Sequence, residues 1–358
     1  MSSSTVDGAA QLNAEGSRGD AVVIRDLVKD YNVPSSVVPK NLLGRLRNVL
    51  APERTTKRAL CGVNLTVPRG QVLGFIGPNG AGKTTTVKIL CGILTPTSGH
   101  VEVLGFNPHR QRYQYTYHIG LVFGQRSLLW YDIPVIESLR LYADIYEIGR
   151  DALARKIEQF SELLGIGDLL HIPVRKLSLG QRMRAEIAAS LLHDPEILFL
   201  DEPTLGLDAV AKERIRGFLK QLNEEQGTTV FLTTHDMNDI EALCDRVVII
   251  DKGAIIYDGS VESLRMAERE KVVEVQLRPG GHGDEKRVRT FALLKPYAEE
   301  PITAESTSLR LRVPQDRSLE VISELLALET LQDLNVQPPT LDSVIRRIYE
   351  GGMAVHGS

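Results

Sequence analysis

The stretch Gly74–Leu90, GFIGPNGAGKTTTVKIL, places four glycines and a lysine between an apolar run and a run with helical spacing. The preceding residues, Gln71–Ile76, are short, apolar and β-prone, whereas Thr84–Leu94 carries its apolar side chains on one helical face. Glycines cluster where the backbone adopts conformations that a side chain forbids. The spacing matches the phosphate-binding loop G-x-x-x-x-G-K-[ST], which requires this order of strand, loop and helix.

The loop is therefore predicted to hold a nucleoside triphosphate with Mg²⁺, because backbone N–H groups at such a loop and helix start point at an anion. Lys83 would reach the β- and γ-phosphates, and the Thr84 hydroxyl would bind Mg²⁺. A glycine-rich turn with an incidental Lys-Thr pair is the alternative. The predicted nucleotide-binding residues of the loop are Gly77, Asn79, Gly80, Gly82, Lys83, Thr84 and Thr85.

Length and composition describe an ordinary globular chain of 358 residues, enough for two domains, with a formal net charge of −4. This charge gives no overall attraction to nucleic acid, so we expect no nucleic-acid partner. The three cysteines are scattered without C-x-x-C spacing, which predicts neither disulfides nor a zinc site. No apolar run approaches the ~20 residues of a membrane span. Residues 1–20 are small and polar and are predicted to be a disordered tail.

A second segment predicted to reach the phosphates is the apolar run Ile197–Pro203, which ends in two carboxylates. Four successive apolar residues are typical of a strand in a parallel sheet that is covered on both faces. Asp201 at its end would bind Mg²⁺, directly or through water. Glu202 would orient or deprotonate the water that attacks the γ-phosphate. Solvated acids at a strand end are the simpler alternative.

The segment Lys176–Leu192 indicates which of the many enzyme families with a phosphate loop this chain resembles. Ser178 is predicted to cap a helix. Because Gly180 has no side chain, the backbone N–H groups of the first turn are accessible, and such a helix end favours anions. Taken alone, the segment is better explained as an ordinary capped helix. However, the segment resembles the signature motif of the ABC ATPases, usually written LSGGQ, and it stands just before the acidic strand as it does in that family. Leu179 departs from this motif, which usually has glycine there.

The resemblance implies roles for further residues, matched by order and position. Gln125 corresponds to the Q-loop glutamine, which touches Mg²⁺ and senses the membrane partner. Asp208 corresponds to the D-loop aspartate, and His235 to the switch histidine that contacts the γ-phosphate. Tyr31 corresponds to the aromatic residue that stacks on adenine, although an aromatic side chain at a strand end is often only packing. From the signature itself, Ser178, Gly180 and Gln181 would contact ATP.

The resemblance covers roughly Val22–Leu264 and implies the α/β fold of P-loop ABC ATPases over residues 21–265. That fold combines a RecA-like core sheet, an antiparallel β subdomain and a helical signature subdomain, here at about residues 126–190. In this family the signature of one subunit completes the ATP site of another. We therefore expect a head-to-tail dimer with a second copy or a homologous subunit. Lys83, Glu202 and His235 would then catalyse in-line attack of water on the γ-phosphate of ATP.

Among classes of ABC ATPase, a single cassette without a long coiled coil favours a transporter subunit over ribosome factors or DNA-repair ATPases. The absence of an apolar span then implies separate permease subunits and a peripheral place at the cytoplasmic face of the cell membrane. The segment around Trp130, GQRSLLWYDIPVIESL, looks like the bacterial exporter-type branch. An ATPase of iron–sulfur cluster assembly is the alternative. The transported substrate cannot be read from this subunit.

Two features between the motifs have both a structural and a functional interpretation. Trp130, the only tryptophan, either belongs to the core of the helical subdomain or lines the groove that receives the permease. In residues 32–58, basic residues outnumber acidic ones six to one. Within them, Lys40–Leu50 is predicted to form an amphipathic helix. This helix either packs on the cassette or contacts the permease or anionic lipid.

Residues 270–350 are predicted to form a small α+β accessory domain without a catalytic cluster. We interpret it as an interaction or dimer-supporting domain, because "PPTLDSVIRRIY" resembles the end of C-terminal domains on exporter ATPases. The spacing does not suggest the β-barrel of sugar importers. The predicted strands are Val272–Leu277, Val288–Leu294 and Ser308–Val313; the predicted helices are Leu319–Leu328 and Thr340–Tyr349; a turn is predicted at Gly280–Gly283.

Overall fold

The computed structural model describes residues 19–34, 54–124, 127–266, 270–278, 285–303, 306–338 and 340–349. Internal contacts divide the chain into two units, Met1–Gly259 and Ser260–Ser358. This division comes a few residues before the predicted domain end at residue 265. Four of the sequence predictions lie outside the described residues: the tail up to residue 18, the amphipathic helix at 40–50, Gln125, and the turn at 280–283.

The strands that the structure describes lie mostly where apolar or alternating segments occur in the sequence. They are β1 (Asp20–Pro34), β2 (Arg54–Pro68), β3 (Val72–Ile76), β4 (Ser98–Val103), β5 (Ile119–Phe123), β6 (Ile197–Asp201), β7 (Thr229–Thr233), β8 (Arg246–Asp251), β9 (Ala254–Ser260), β10 (Glu270–Leu277), β11 (Ser308–Pro314) and β12 (Leu331–Gln337).

Helices lie between many of these strands along the chain. They are α1 (Lys83–Leu90), α2 (Arg112–Tyr115), α3 (Val135–Ile145), α4 (Arg150–Leu164), α5 (Leu179–Ser190), α6 (Ala209–Gln226), α7 (Met237–Leu243), α8 (Val261–Met266), α9 (Glu285–Leu294), α10 (Ser318–Leu326) and α11 (Leu341–Tyr349). Short 3₁₀ turns occur at Gly167–Leu169, Val174–Lys176 and Lys295–Tyr297.

Within the described part of the first unit, a six-stranded sheet has the order β5-β6-β7-β3-β8-β9. The pairings of β5 with β6, β6 with β7, β7 with β3 and β3 with β8 are parallel. All residues of β3, β6 and β7 are buried, as expected for parallel strands covered on both faces. Because the strands are parallel, their carboxyl ends meet at one edge of the sheet.

A second, three-stranded sheet in the described part of this unit has the order β2-β1-β4, and both pairings are antiparallel. β1 begins at Asp20 and runs three residues beyond Tyr31, the predicted strand end, to Pro34. The two ends of the basic segment at 32–58 belong to this sheet, since Asn32 pairs with Thr56 and Val33 pairs with Thr55. The predicted antiparallel β subdomain is therefore present.

The helix after the phosphate loop is shorter than predicted. The apolar spacing predicted a helix to Leu94, but α1 ends at Leu90. Gly92 adopts a φ of 67°, in the left-handed region that ends many helices. Ile93 N then donates to Lys88 O at 2.9 Å and closes the turn. A Cβ at Gly92 would lie 2.3 Å from the Pro108 carbonyl oxygen, so a following loop occupies the space at this position.

The second unit, in its described part, contains an antiparallel three-stranded sheet of order β11-β10-β12. Its buried side chains share a hydrophobic core with those of α9 and α10. The prediction of a strand at Val288–Leu294 is wrong, because α9 occupies these residues. Arg287, Thr290, Phe291 and Leu294 are buried, and their spacing is that of one helical face. The strand that the sequence analysis did not predict is β12. Its residues are half-buried or exposed, so they do not form a strong apolar pattern.

A hydrophobic core of the first unit joins residues of both sheets and of α1, and it includes a buried tyrosine with a polar anchor. The Tyr115 ring is fully buried, and its hydroxyl donates to the Leu90 carbonyl oxygen at 2.6 Å. Burial raises the pKa of this hydroxyl well above its ordinary value. The carbonyl at the end of α1, one of those that a helix leaves unsatisfied, thus finds its partner in the core.

We expect Tyr115→Phe to lower the free energy of unfolding by about 1–2 kcal/mol, because the Leu90 carbonyl would lose its buried donor. Denaturant titration of the whole chain measures this change. Tyr113→Phe is the matched control, because that ring is 79% exposed and its hydroxyl contacts only the Tyr117 hydroxyl at 3.4 Å among the described residues. An equal loss of stability in both variants would contradict the prediction.

Candidate functional site

The site is built at the carboxyl edge of the parallel sheet. The register pairs Asp201 at the end of β6 with Thr233 at the end of β7. β7 also pairs with β3, and β3 leads into the phosphate loop. Three connections therefore begin at the same edge: the loop after Ile76, the turn starting at Glu202, and the segment starting at Thr234.

The phosphate loop has the backbone that its glycines predict. Gly80 and Gly82 adopt φ values of 83° and 120°, which L side chains rarely adopt. At Gly77 a Cβ would lie 2.3 Å from the Ile250 carbonyl oxygen, so only glycine allows the loop to pass β8 there. Asn79 and Gly80 at the tip are exposed. The loop is a cradle of exposed backbone followed directly by the start of α1.

Lys83 lies inside this cradle. Its Nζ donates to the Gly77 carbonyl oxygen at 2.5 Å and to the Pro78 carbonyl oxygen at 3.3 Å. The residue is only 6% exposed. Burial lowers the pKa of Lys83, and the charges of Glu202 and Asp201 partly oppose this effect. A buried ammonium held by two carbonyls next to two acids is a cation positioned for an anionic ligand.

Thr84 and Asp201 supply oxygen ligands next to this cation. The Thr84 hydroxyl donates to Asp201 Oδ2 at 3.1 Å, and the Thr233 hydroxyl donates to Asp201 Oδ1 at 2.5 Å. Hard divalent cations such as Mg²⁺ prefer this combination of carboxylate and hydroxyl oxygens. Thr233 was missed at the sequence level. Thr233 could have been identified from its position at the end of β7, but only if β7 were already known to be the neighbour of β6.

Glu202 and His235 are in direct contact. His235 Nδ1 is hydrogen-bonded to Glu202 Oε2. The Glu202 side chain is 19% exposed, whereas that of His235 is 58% exposed. Glu202 has a φ of 59°, which is uncommon for a residue with a side chain and is often found at functional sites. The structure therefore brings together two of the three residues that the sequence analysis assigned to hydrolysis, the third being Lys83.

Tyr31 also lies near α1, the helix that follows the phosphate loop. Its hydroxyl lies 3.5 Å from the Thr85 Oγ1, and the ammonium of Lys29 lies 5.3 Å from the ring centroid. The half-buried ring is thus next to the second threonine of the loop motif. This position is compatible with the predicted contact to a purine base.

The signature segment begins α5 with a complete capping box. The Ser178 hydroxyl accepts from Gln181 N at 3.2 Å, and Gln181 Oε1 accepts from Ser178 N at 2.9 Å. This confirms Ser178 as the helix cap. Gly180 packs against α6, since a Cβ there would lie 3.1 Å from the Ala211 Cβ. Leu179, which departs from the family motif, is 39% exposed.

Asp208 caps the next helix, α6. Its carboxylate accepts from Ala211 N at 2.8 Å. Gly206, two residues earlier, has a φ of 74° and makes the turn that leads to this cap. Gln125 lies outside the described residues. Among the described residues, no hydrogen bond joins the signature segment at Ser178–Gln181 or Asp208 to the phosphate loop of the same chain.

Comparison with known protein families matches residues 60–205 to the family described as "ABC transporter". The chain is 37% identical over 212 residues to the ABC transporter ATP-binding protein NatA of Bacillus subtilis, covering 59% of this chain and 86% of NatA. It is 33% identical over 293 residues to the daunorubicin resistance ATP-binding protein DrrA3 of Streptomyces coeruleorubidus, covering 80% of this chain and 90% of DrrA3.

The chain belongs to the ABC transporter ATP-binding family. Over 230 residues it is also 38% identical to the fluoroquinolones export ATP-binding protein Rv2688c of Mycobacterium tuberculosis, covering 64% of this chain and 74% of that protein. This ABC protein is thus a nucleotide-binding ATPase, as its phosphate loop, acidic strand and signature predicted.

Solved structures agree with the predicted fold. The ATP-binding cassette MJ0796, in a dimeric post-hydrolysis state with ADP and Pi, has a TM-score of 0.55 at 24% identity, covering 67% of this chain and 98% of that one. CbiO1 of Clostridium perfringens, part of the ABC transporter complex cbiONQ, also has a TM-score of 0.55, at 26% identity and with 69% and 90% coverage. Among the helices that the structure of this ABC ATPase describes, none combines the length and the apolar character needed to cross a membrane.

A buried carboxyl group on the signature helix of this ABC ATPase is electrostatically unusual. Glu186 is only 1% exposed, and Arg182 Nε lies 3.5 Å from its Oε1. Burial raises the pKa of Glu186 to about 6, and Ser127 and Arg182 only partly offset this effect. Because the pKa in the folded state exceeds the unfolded value, the ionised carboxylate is less compatible with the folded chain than the protonated form is.

The stability that Glu186 contributes is therefore fully present below the ordinary glutamate pKa of 4.5 and is lost as the pH rises through about 6. A rise in pKa of this size corresponds to about 2 kcal/mol. We expect the free energy of unfolding of Glu186→Gln, relative to that of wild type, to rise by about 2 kcal/mol between pH 4.5 and pH 8. Denaturant titration at both pH values measures this change. An effect of the amide that does not depend on pH cancels, because only the difference between the two pH values is compared. Glu158→Gln, at an exposed position of α4, is the control, and an equal pH dependence of the two variants would contradict the prediction.

Proposed function

We propose that this protein is the ATP-hydrolysing subunit of an exporter, and that it works at the cytoplasmic face of the membrane with separate permease subunits. The observation that carries the proposal is the meeting of Lys83, Thr84, Asp201, Glu202 and His235 at one sheet edge. Export is supported by the names of two relatives, which are described as daunorubicin resistance and fluoroquinolones export proteins. The same names favour transport over iron–sulfur cluster assembly.

Mg²⁺ fits the oxygen atoms at this edge. Thr84 and Asp201 would hold the ion from the protein side, and Gln125 would contact it from the segment after β5. Among the described residues, no cluster of three or more His, Cys, Asp or Glu side chains could bind a metal alone. The remaining ligands would therefore come from phosphate oxygens and water, as is usual for Mg²⁺. When bound, Mg²⁺ supplies neutralisation of the negative charge that develops on the phosphates.

In the proposed hydrolysis each residue has a separate task. Lys83 binds the β- and γ-phosphates by exchanging its carbonyl partners for phosphate oxygens. Glu202 orients the attacking water and accepts its proton. His235 holds the Glu202 carboxylate through their hydrogen bond and presents its exposed ring edge to the γ-phosphate. The loop residues Gly77, Asn79, Gly80, Gly82 and Thr85 would surround the phosphates, and Tyr31 would stack on adenine.

Completion of the site needs a second subunit. Ser178, Gly180, Gln181 and Asp208 would contact the ATP that is bound to the phosphate loop of a partner copy or of a homologous subunit. The exposed start of α5, with backbone N–H groups at a capped helix end, suits an anion. MJ0796, which has the same fold, is described as dimeric. Closure around two ATP molecules and release after hydrolysis would provide the motion that a permease can use.

We expect Glu202→Gln to lower the ATPase rate at least ~100-fold while leaving ATP binding intact, because the amide cannot accept the proton of the attacking water. A slow variant should also accumulate as a dimer with ATP, which size-exclusion chromatography with light scattering measures. Glu224→Gln, at an exposed position on α6, is the control. A Glu202→Gln variant as fast as wild type would remove Glu202 from the proposed role.

The permease would dock on a row of aromatic side chains in the first unit. The aromatic row comprises Tyr113, Tyr117, Tyr146, Tyr142 and Trp130, and its neighbouring ring centroids lie 5.4–6.4 Å apart. Trp130 is 41% exposed, and Tyr131 beside it is 59% exposed. Exposed aromatic side chains in such a cluster are typical anchors of protein interfaces. Trp130 was interpreted either as part of the core of the helical subdomain or as part of the permease groove. Its indole combines both features, because it packs on Tyr142 and is also partly exposed.

We expect the double variant Trp130→Ala and Tyr131→Glu to lose co-purification with the permease while keeping the ATPase rate of the isolated subunit. For this test the permease would be sought among membrane proteins encoded beside the gene for this chain. Charge and lost aromatic area at an interface centre weaken binding, and each anchor residue is typically worth ~2 kcal/mol or more. Leu319→Glu, 77% exposed in the second unit, is the control. Normal co-purification of the double variant would exclude the aromatic row as the docking surface.

A further inference from the structure

A fully buried carboxylate accepts hydrogen bonds from residues close in sequence to the catalytic pair. It belongs to Asp239, in the first turn of α7. One of its oxygens, Oδ1, accepts from Arg216 Nε at 2.7 Å, and Arg216 Nη2 lies 2.6 Å away. The other oxygen, Oδ2, accepts from the hydroxyls of Thr204 and Thr234, the latter at 3.1 Å. The two threonines come from segments that meet at the site, and Arg216 comes from helix α6.

The two threonines belong to the segments that carry the catalytic pair. Thr204 follows Glu202 by two residues, and Thr234 directly precedes His235. Both hydroxyls are buried and donate to the same carboxylate oxygen. A single atom of Asp239 thereby fixes the distance between the turn that bears Glu202 and the segment that bears His235.

The backbone at Glu202 needs such an anchor. Its φ of 59° is a costly conformation for a residue with a side chain, and surrounding contacts must hold it. On one side, Glu202 N donates to the Thr233 carbonyl oxygen at 2.9 Å. On the other side, the first side chain that anchors the turn is Thr204, through Asp239. The Thr204–Asp239 hydrogen bond therefore helps to hold the turn in this conformation.

The anchor also reaches helix α6, which begins at the predicted dimer contact Asp208. Arg216 on α6 pairs with Asp239 and lies 3.5 Å from Asp236 Oδ2, to which Lys212 also donates at 2.6 Å. Buried ion pairs of this kind add little net stability, because desolvation offsets their attraction. Their effect here is geometric, since they fix α6 and the segment after β7 to one another.

We propose that Asp239 is a positioning residue for ATP hydrolysis, holding Glu202 and His235 in contact by accepting the hydroxyls of Thr204 and Thr234. This inference rests on the roles proposed above for Glu202 and His235. Asp239 touches neither nucleotide nor metal in this scheme. Its removal should therefore slow the chemical step and leave the binding of ATP unchanged.

The first test compares Asp239→Asn with Asp258→Asn. Both variants remove a carboxylate partner of an arginine in the first unit, since Arg246 Nε donates to Asp258 Oδ1 at 2.7 Å, but only Asp239 holds the two threonines. We expect kcat to fall at least ~10-fold for Asp239→Asn, with the KM for ATP and the Kd for a non-hydrolysable ATP analogue changed less than ~3-fold. Asp258→Asn should keep kcat within ~2-fold. An unchanged kcat for Asp239→Asn, or equal losses in both variants, overturns the proposal.

The second test uses the hydroxyl of Thr204, so that it remains decisive where Asp239→Asn does not fold. Thr204→Val deletes the hydroxyl at nearly constant shape, and Thr204→Ser keeps it. We expect Thr204→Val to reproduce the loss in kcat and Thr204→Ser to restore most of the wild-type rate. Equal rates in the two variants overturn the proposal, because packing alone would then explain the position.

The third test separates this proposal from the role of Glu202. Asp239→Asn is measured in the Glu202→Gln background, where a residue that acts through Glu202 has nothing left to position. We expect the residual rate of the double variant to equal that of Glu202→Gln within ~2-fold. A further loss as large as that in the wild-type background overturns positioning through Glu202. If Glu202→Gln alone is as fast as wild type, the proposed role of Glu202 fails, whereas the first two tests still report on Asp239.

Discussion

The parallel register between β6 and β7 is the constraint on which the site depends. It places Asp201 beside Thr233, and the next residues along both strands are then Glu202 and Thr234, the latter followed by His235. Because β3 pairs with β7 in the same direction, the phosphate loop emerges at the same edge. A shift of one residue in a strand turns every side chain to the other face. The Asp201 carboxylate would then face away from the Thr84 hydroxyl.

This register explains which parts of the site could be predicted from the sequence. The phosphate loop and the cap at Ser178 depend on neighbours in sequence, so spacing alone identified them. Asp201, Glu202 and His235 were found through strand ends and the family resemblance, since an acid or a histidine after a strand is common. Thr233 and Asp239 could not be found in this way, because their significance lies in contacts with residues 32 and 35 positions away.

The errors in the predicted fold have a similar cause. The strand predicted at Val288–Leu294 came from a short apolar run, whose period cannot distinguish a strand from a buried helix. The buried positions include Arg287 and Thr290, which a hydrophobic pattern does not count as core. α1 ended early because Gly92 adopts a left-handed φ that ends many helices, and because the Pro108 carbonyl oxygen occupies the space where a side chain would lie. The glycine is visible in the sequence, whereas the contact with Pro108 is not. Tertiary contacts thus contribute to both cases.

The capping box at Ser178 determines what the start of α5 can offer to a ligand. The Ser178 hydroxyl already accepts a hydrogen bond from Gln181 N, and the Gln181 side-chain oxygen already accepts from Ser178 N. Each of the two side-chain oxygens thus accepts one hydrogen bond within the helix start, while the hydroxyl proton and the amide NH₂ protons take no part in the box. These protons can therefore be offered to a neighbouring molecule without breaking the cap. An oxyanion, which only accepts hydrogen bonds, is the kind of ligand that could use all of them.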